Sequence, residues 1–178
     1  MTTPLVVIVG PPASGKTTVG TALATALGVA FRDTDSDIVD STGTSVADLF
    51  VTHGEPHFRN LEEQAVARAL TEHDGVLALG GGAVTSAASR ELLVRYGRRG
   101  GMVVWLDVDV ASAAKRVGLS RDRPLLAVNP RAMLRQMLAI RAPLYAEVAT
   151  HTVTTSGRKP ADILAEVLAA VPTERARR

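Results

Sequence analysis

The sequence contains no cysteine, so disulfide bonds and thiolate metal ligands are excluded and the fold depends on burial of apolar side chains. Aromatic residues make up only 3% of the 178 residues, which leaves no stacking platform of the kind that single-stranded nucleic acid favours. The formal net charge is +2, with 20 basic and 18 acidic side chains and no long block of one sign. Nucleic-acid binding is therefore not indicated.

Long hydrophobic runs are also missing. Hydrophobic residues account for 46% of the chain, but charge or glycine interrupts each run. None approaches the ~20 residues that a membrane-spanning helix requires. The first apolar run follows no basic leader and ends in a glycine-rich loop instead of a cleavage site, so we expect a cytoplasmic protein without a membrane segment.

Short apolar runs alternate with helix-length segments, which predicts a single-domain α/β fold with three layers and a five-stranded parallel sheet flanked by helices. Runs such as LVVIV and MVVWL show no polar alternation, so the first and fourth strands are expected to be central, with Trp105 in the core. The predicted strands are Leu5–Val9, Val29–Asp33, Val76–Leu79, Met102–Leu106 and Thr152–Thr154.

Two helices are indicated by their ends and their periodicity. One runs over Lys16–Leu27 and ends at Gly28, and another begins near Pro56 with apolar residues recurring every three or four positions. Neither an internal repeat nor a linker is visible. We therefore expect one domain over residues 1–172, followed by a loose basic tail over residues 173–178.

Between the first strand and the first helix, GPPASGKT matches the phosphate-binding pattern G-x-x-x-x-G-K-[ST]. In such a loop the backbone N–H groups and the helix N-terminus face a polyphosphate, the lysine reaches the β and γ phosphates, and the threonine hydroxyl binds Mg²⁺. Ala13 stands where many kinases with this loop carry glycine, and an α-compatible dihedral there would tolerate alanine. The predicted ATP-binding residues of the loop are Pro12, Ala13, Ser14, Gly15, Lys16, Thr17 and Thr18.

A phosphate-binding loop does not by itself specify a kinase, because GTPases, motors and transport ATPases share it. The N-K-x-D motif that reads guanine is absent, since Asn129 is followed by Pro130. The acceptor site must therefore decide the activity.

Two carboxylates, Asp33 and Asp35, lie at the end of the second strand, at the sheet edge where doubly wound folds bind ligands. On an extended segment they would point the same way, so that Asp33 could support a metal and Asp35 could accept a hydroxyl proton. Capping of a following helix is the alternative, and the sequence does not decide between the two.

Arg59 has Glu55 four residues before it and Glu62 three residues after it on the predicted helix. The spacing is typical of a solvated ion-pair ladder of small energetic weight. Alternatively, the two acids orient an arginine that holds a substrate carboxylate, a contact worth about 1.5–3 kcal/mol.

Three consecutive glycines, Gly80 to Gly82, follow the third strand. A turn requires only one, so we interpret the run as a place where a ligand closely approaches the backbone.

Further along, Pro143 is expected to disturb a helix and so to aim Arg141 into the cleft.

An arginine-rich polar segment, at about residues 116–129, has the composition of a mobile lid. Phosphoryl transfer requires exclusion of water and positive charge on the moving group, and a mobile arginine loop supplies both. Pro124 restrains Arg123 to an extended backbone. A solvated loop with incidental arginines is the alternative.

In order and spacing, GPPASGKT, DTD, FR, LGGGAV, RPLL and RAPLY resemble the motifs of the shikimate kinase family over residues 5–165. The resemblance implies transfer of the ATP γ-phosphoryl group to the 3-hydroxyl of shikimate, on the pathway to chorismate and the aromatic amino acids. It also implies one Mg²⁺ ion per ATP, near Thr17 and Asp33. Shikimate kinases are often monomeric, and a monomer is expected here.

The resemblance also assigns individual residues. Those implied to be catalytic are Lys16, Asp35 and Arg123. On the ATP side it implies Arg116 near the adenine, Arg123 at the phosphates and Arg158 in the loop after the last strand. The residues implied to contact shikimate or to shape its pocket are Asp35, Phe50, Phe58, Arg59, Glu62, Gly80, Gly81, Gly82 and Arg141.

Other functions stay open at this point. A gluconate or nucleoside monophosphate kinase would share the architecture, although two arginines beside a triglycine loop argue against it. An ATP-dependent regulator without an acceptor would leave the DTD and GGG elements unexplained.

Overall fold

The computed structural model of the chain describes residues 2–117 and 130–172. Five parallel strands form one sheet in the order β2-β3-β1-β4-β5, which confirms the predicted sheet and the inner positions of the first and fourth strands. All five predicted strands are present, with ends that differ by one or two residues. The strands are β1 Val6–Val9, β2 Phe31–Asp33, β3 Val76–Ala78, β4 Met102–Asp107 and β5 His151–Thr154.

Helices cover both faces of the sheet. The helical elements are α1 Lys16–Leu27, α2 Thr34–Thr42, α3 Val46–Glu72, a 3-10 turn Ala83–Thr85, α4 Ala87–Arg98, α5 Val110–Arg116, α6 Pro130–Val148 and α7 Pro160–Ala170. The predicted helix over Lys16–Leu27 is confirmed and ends at Gly28, whose φ of 67° places it in the left-handed region.

Alternate residues of β1 enter two separate cores. Val6 and Ile8 pack with α1 and α7, whereas Val7 and Val9 pack with α3, α4 and α6. Every residue of β1 is buried, because β1 pairs with β3 and β4 and lies between two helical layers. This is the predicted three-layer α/β domain.

The long helix α3 is interrupted at Gly54, where φ is 78° and ψ is 167°. Pro56 follows this interruption, in agreement with the predicted helix start. A smaller core formed by Ile38, Leu49, Phe58 and Ala65 joins α2 to both parts of α3. This third core places the face of α3 that carries Arg59 beside the carboxyl ends of the strands.

The predicted lid lies mostly outside the described residues, as does Arg123 within it. Only its first two residues, Arg116 and Val117, are described. The predicted tail over residues 173–178 also lies outside the described part. Within residues 2–117 and 130–172, no helix combines the length and the hydropathy that are needed to cross a bilayer.

Candidate active site

The phosphate-binding loop connects β1 to α1 at the carboxyl edge of the sheet. Gly10 and Gly15 both have positive φ, of 152° and 96°, which lets the chain turn tightly into the helix. Among the described residues, none caps the first turn of α1 with its side chain. The N–H groups of that turn can therefore bind an anion.

Lys16 folds back onto this loop. Its Nζ donates hydrogen bonds to the carbonyl oxygens of Gly10 at 2.8 Å and Pro11 at 3.0 Å. Burial lowers the pKa of Lys16 to about 8, although Asp35 and Asp33 act in the opposite direction. The ammonium group lies where it can exchange these carbonyls for phosphate oxygens.

Ala13 is the one non-glycine residue of the described chain with a positive φ, of 64°. The α-compatible dihedral considered above is therefore not the one adopted. A left-handed alanine costs about 1–2 kcal/mol, because its Cβ approaches the following carbonyl oxygen. The contacts around the loop must compensate for this strain.

Arg116, the last residue of α5, supplies such contacts. Its Nη1 donates to the carbonyl oxygens of Ala13 at 3.1 Å and Ser14 at 3.4 Å, and to the Thr155 hydroxyl at 3.0 Å. Its Nη2 donates to the Thr155 carbonyl oxygen at 2.6 Å. Arg116 thus links the phosphate-binding loop to the segment after β5.

Arg158 lies in the same segment after β5, but its bonds run toward α7. It donates to the carbonyl oxygens of Thr154 at 3.0 Å and Asp162 at 3.3 Å, and it pairs with Glu166 at 2.6 Å. Its predicted contact with the nucleotide stays a prediction.

Asp33 serves both as a helix cap and as a member of the site, so the two interpretations of the DTD segment are compatible. One carboxylate oxygen accepts from the Asp35 N–H at 3.0 Å, and the other lies 3.4 Å from the Thr17 hydroxyl, which donates to it. The expected extended segment is wrong beyond Asp33, because Thr34 already begins α2. Asp35 reaches the site from the first turn of a helix.

The Asp35 carboxyl is partly buried and close enough to Lys16 and Arg59 to be affected by both charges. Burial raises its pKa, and the neighbouring Asp33 raises it further, against the opposing effects of Lys16 and Arg59. A carboxylate with a raised pKa is a better proton acceptor than an exposed aspartate.

Arg59 is held by both predicted ion pairs, and they differ in environment. Its Nη1 donates to Glu62 at 2.6 Å, and its Nη2 donates to Glu55 at 3.0 Å. Glu55 is 63% exposed, as a solvated ladder would require, whereas Glu62 is only 3% exposed. Burial raises the pKa of Glu62, and the hydrogen bond from Arg59 opposes that rise.

Two aromatic rings complete the support of this arginine. The guanidinium carbon of Arg59 lies 5.7 Å from the ring centroid of Phe50 and 5.5 Å from that of Phe58. These are cation–π distances, and the two rings also pack against each other at 4.6 Å. The side chains of Arg59, Phe50, Phe58 and Glu62 therefore form one unit, and their predicted contact with shikimate stays a prediction.

The glycine run lies against protein side chains. A Cβ on Gly80 would come within 2.5 Å of carboxylate oxygens of Asp35 and Glu62, and one on Gly82 would overlap the Arg59 guanidinium. A Cβ on Gly81 would lie 2.9 Å from Cδ of Pro12 in the phosphate-binding loop. The close approach predicted for a ligand is thus already required by the site's own residues.

From the opposite side, α6 contacts the middle glycine. Arg141 Nη1 donates to the Gly81 carbonyl oxygen at 3.2 Å, and the Tyr145 hydroxyl donates to the same oxygen at 2.6 Å. The expected helix break is wrong, because α6 continues through Pro143. Arg141 enters the cleft from an intact helix.

Comparison with known proteins supports one family. The family model for shikimate kinase matches residues 12–172. The shikimate kinase of Streptomyces avermitilis is 51% identical over 176 residues, which are 99% of this chain and 100% of that protein. The chain belongs to the shikimate kinase family. The shikimate kinase of Frankia casuarinae is 56% identical over 166 residues, which cover 93% of this chain and 71% of that protein.

A solved structure agrees with this shikimate kinase assignment. The shikimate kinase of Acinetobacter baumannii in complex with shikimate matches with a TM-score of 0.82 and 38% identity, over 94% of this chain and 92% of that one. As a member of the shikimate kinase family, this chain is an ATP-dependent small-molecule kinase.

Sequence reasoning missed three residues that shape this shikimate kinase site. Thr34 accepts a hydrogen bond from the Gly80 N–H at 2.9 Å, Thr155 accepts from Arg116, and Tyr145 binds Gly81. The spacing of Tyr145 four residues after Arg141 was a usable signal, because residues four apart share a helix face. Thr34 stands inside the DTD motif, yet no local pattern indicates that Thr34 or Thr155 bonds to a partner so distant in sequence.

Proposed function

We propose that the chain transfers the γ-phosphoryl group of ATP to the 3-hydroxyl of shikimate by means of the site described above. The observation that carries this proposal is the glycine run. Its three residues lie in order against Asp35, Arg141 and Arg59, so that one short loop gathers a proton acceptor and two arginines beside the phosphate-binding loop. This combination suits an acceptor with both a carboxylate and a hydroxyl.

The two arginines would hold the carboxylate of shikimate. Arg59 uses its Nε–H and one N–H on each Nη for Glu55 and Glu62, which leaves one N–H on each Nη. Two N–H groups in a fixed plane fit a carboxylate bidentately. The acids thus set the direction of the arginine, which still has two N–H donors for a ligand.

Asp35 and Lys16 would act at the reacting groups. Asp35 orients the acceptor hydroxyl and takes its proton, a role that its raised pKa favours. Lys16 exchanges the carbonyl oxygens of Gly10 and Pro11 for phosphate oxygens and offsets the charge that develops in transfer. Of the other loop residues, Ala13 to Thr18 would bind the phosphates through backbone N–H groups, and Pro12, which has no N–H, would line the site.

The residues at the end of β2 fit a magnesium ion. Thr17 and Asp33 place a hydroxyl and a carboxylate oxygen 3.4 Å apart, and oxygen donors of this kind suit Mg²⁺. Among the described residues no group of three or more His, Cys, Asp or Glu side chains could hold a metal, so the remaining ligands would be phosphates and water. When bound, the ion neutralises charge on the phosphates.

We propose further that residues 116–129 form a lid and that Arg123 contacts the ATP phosphates, with Arg116 and Arg158 on the adenine side. We also propose a cytoplasmic monomer. Sedimentation of the purified protein with and without ligands tests the monomer, and a dimer at micromolar concentration would contradict it.

The activity is tested by ADP release from Mg-ATP with shikimate, gluconate, AMP or no acceptor. We expect release only with shikimate, and a loss of at least about 100-fold in kcat/KM in Arg59→Ala, because a charge-assisted carboxylate contact and its support are removed. Arg68→Ala, which removes an exposed arginine from the same helix, is the matched control and should retain activity.

Release with another acceptor would support kinase activity but reject shikimate as the substrate. If no acceptor supports release by protein that demonstrably binds ATP, the regulator hypothesis would replace catalysis.

A further inference from the structure

The carbonyl oxygen of Gly81 accepts two hydrogen bonds from one helix. Tyr145 donates through its hydroxyl at 2.6 Å, and Arg141 donates through Nη1 at 3.2 Å. A carbonyl oxygen has two lone pairs, so both acceptor positions of Gly81 are used. The tyrosine bond is the shorter of the two, and it comes from a side chain that is only 1% exposed.

Tyr145 is itself anchored to the sheet. Its ring stacks on Trp105 of β4 with centroids 5.8 Å apart, and Trp105 pairs with Val9, the last residue of β1 before the phosphate-binding loop. Burial raises the pKa of Tyr145 to about 12, so its hydroxyl remains a donor at any pH at which the enzyme is assayed. The ring fixes one end of the side chain, and the hydroxyl fixes the glycine loop at the other.

The glycine loop has no side chains of its own to hold it. Gly80 is bonded through its N–H to Thr34 at 2.9 Å, and Gly82 through its carbonyl oxygen to the Thr85 hydroxyl at 2.7 Å. Between these two points, Gly81 depends on α6. Since Gly80 lies against Asp35 and Gly82 against Arg59, a shift of Gly81 would move the backbone that separates them.

We propose that Tyr145 is a positioning residue for the acceptor: its hydroxyl holds the Gly81 carbonyl and thereby sets the spacing of Arg141, Asp35 and Arg59. The proposal rests on the acceptor site described under the proposed function. Tyr145 does not contact substrate in this scheme; it acts through the glycine loop. Loss of its hydroxyl adds no atom against Pro12, the residue of the phosphate-binding loop that Gly81 faces, so the loss should affect shikimate and leave ATP nearly unaffected.

Tyr145→Phe removes only the hydroxyl and retains the ring on Trp105. The matched control is Tyr96→Phe, because Tyr96 is also buried, belongs to the same core and donates its hydroxyl to a backbone carbonyl, that of Pro4 at 2.8 Å. Both variants lose a buried tyrosine hydroxyl bond. Only the first lies at the acceptor site.

For Tyr145→Phe we expect the KM for shikimate to rise roughly tenfold, as loss of one buried hydrogen bond predicts, with the KM for ATP within about twofold of wild type. Tyr96→Phe should keep both KM values within about twofold. Urea unfolding of the two variants should show similar losses, which establishes that both fold. Trp105 is the one tryptophan of the chain, so its fluorescence measures shikimate binding separately from turnover.

The proposal is overturned if Tyr145→Phe and Tyr96→Phe have the same KM for shikimate. It is also overturned if Tyr145→Phe raises the KM for shikimate and the KM for ATP equally. The first result would make the hydroxyl unimportant to the acceptor, and the second would make it a general stabiliser. If wild type neither binds nor phosphorylates shikimate, the proposed function fails first and the positioning role fails with it.

Discussion

At the scale of single residues, the site is assembled from groups held away from their ordinary states. Lys16 bonds to carbonyl oxygens of its own loop, and burial lowers its pKa to about 8. Ala13 adopts a left-handed backbone that alanine rarely takes. A bound polyphosphate would stabilise both states, because it would favour the charged lysine and bind the N–H groups of the bent loop.

The state of Lys16 predicts uptake of a proton on ATP binding. In the free protein, Lys16 loses its proton as the pH rises through about 8. In the complex, the negative charge of the phosphate oxygens favours the protonated lysine. Binding at pH 8.5 should therefore take up a fraction of a proton, and affinity should fall as the pH rises further.

Titration calorimetry in two buffers of different ionisation enthalpy measures this uptake. Lys16→Arg retains the positive charge at this pH and should abolish it. Equal heats of wild type in the two buffers would contradict the linkage.

At the scale of elements, Arg59 of α3 forms two ion pairs in different environments, one exposed to water and one buried. Glu62 points into the protein and Glu55 into water, although both lie within one turn of Arg59. The sequence predicted the helix and both pairs, since spacings of three and four define a helix face. It could not predict the burial of Glu62, because burial depends on how α3 packs against the sheet.

This difference predicts unequal effects of two matching substitutions. Glu62→Gln should lower the free energy of unfolding by about 2–4 kcal/mol, because it leaves the Arg59 charge partly buried without its closest partner. Glu55→Gln should lower it by at most about 1 kcal/mol, as for an exposed pair. Urea unfolding measures both, and equal losses would show that the burial of Glu62 has no energetic weight.

Other elements show why prediction stops where it does. Apolar runs revealed the strands, and a local motif revealed the phosphate-binding loop, because both patterns lie within short stretches of chain. The path of α6 through Pro143 was not predictable, since neighbouring elements decide whether a proline ends a helix. The bond between Tyr145 and Gly81 joins residues 64 positions apart, and no local pattern contains it.

At the scale of the whole molecule, the groups of the candidate site come from four regions of the chain and meet at the carboxyl edge of one sheet. The phosphate-binding loop follows β1, Asp33 ends β2, the glycine run follows β3, and α6 closes the cleft from the other side. The glycine run is the wall shared by the two proposed ligand pockets. Its middle residue faces Pro12, and its last residue faces Arg59.

The shared wall predicts that neighbouring alanine substitutions affect different substrates. Gly82→Ala should displace the Arg59 guanidinium and raise the KM for shikimate by about tenfold or more, whereas Gly81→Ala should press on Pro12 and raise the KM for ATP. Neither glycine has a positive φ, so backbone strain does not enter. Steady-state kinetics with each substrate varied separately tests this, and the same change of KM in both variants would contradict it.

The hydrogen bonds from Arg116 to Ala13 and Ser14 determine whether the eight-residue motif can keep its shape outside the protein. The left-handed turn at Ala13 is held by an arginine 103 positions away, which is bonded in turn to Thr155, the residue that follows β5. A peptide with the sequence GPPASGKT lacks that support and would relax out of the turn. The anion-binding shape is therefore a property of the completed fold and not of the eight residues alone.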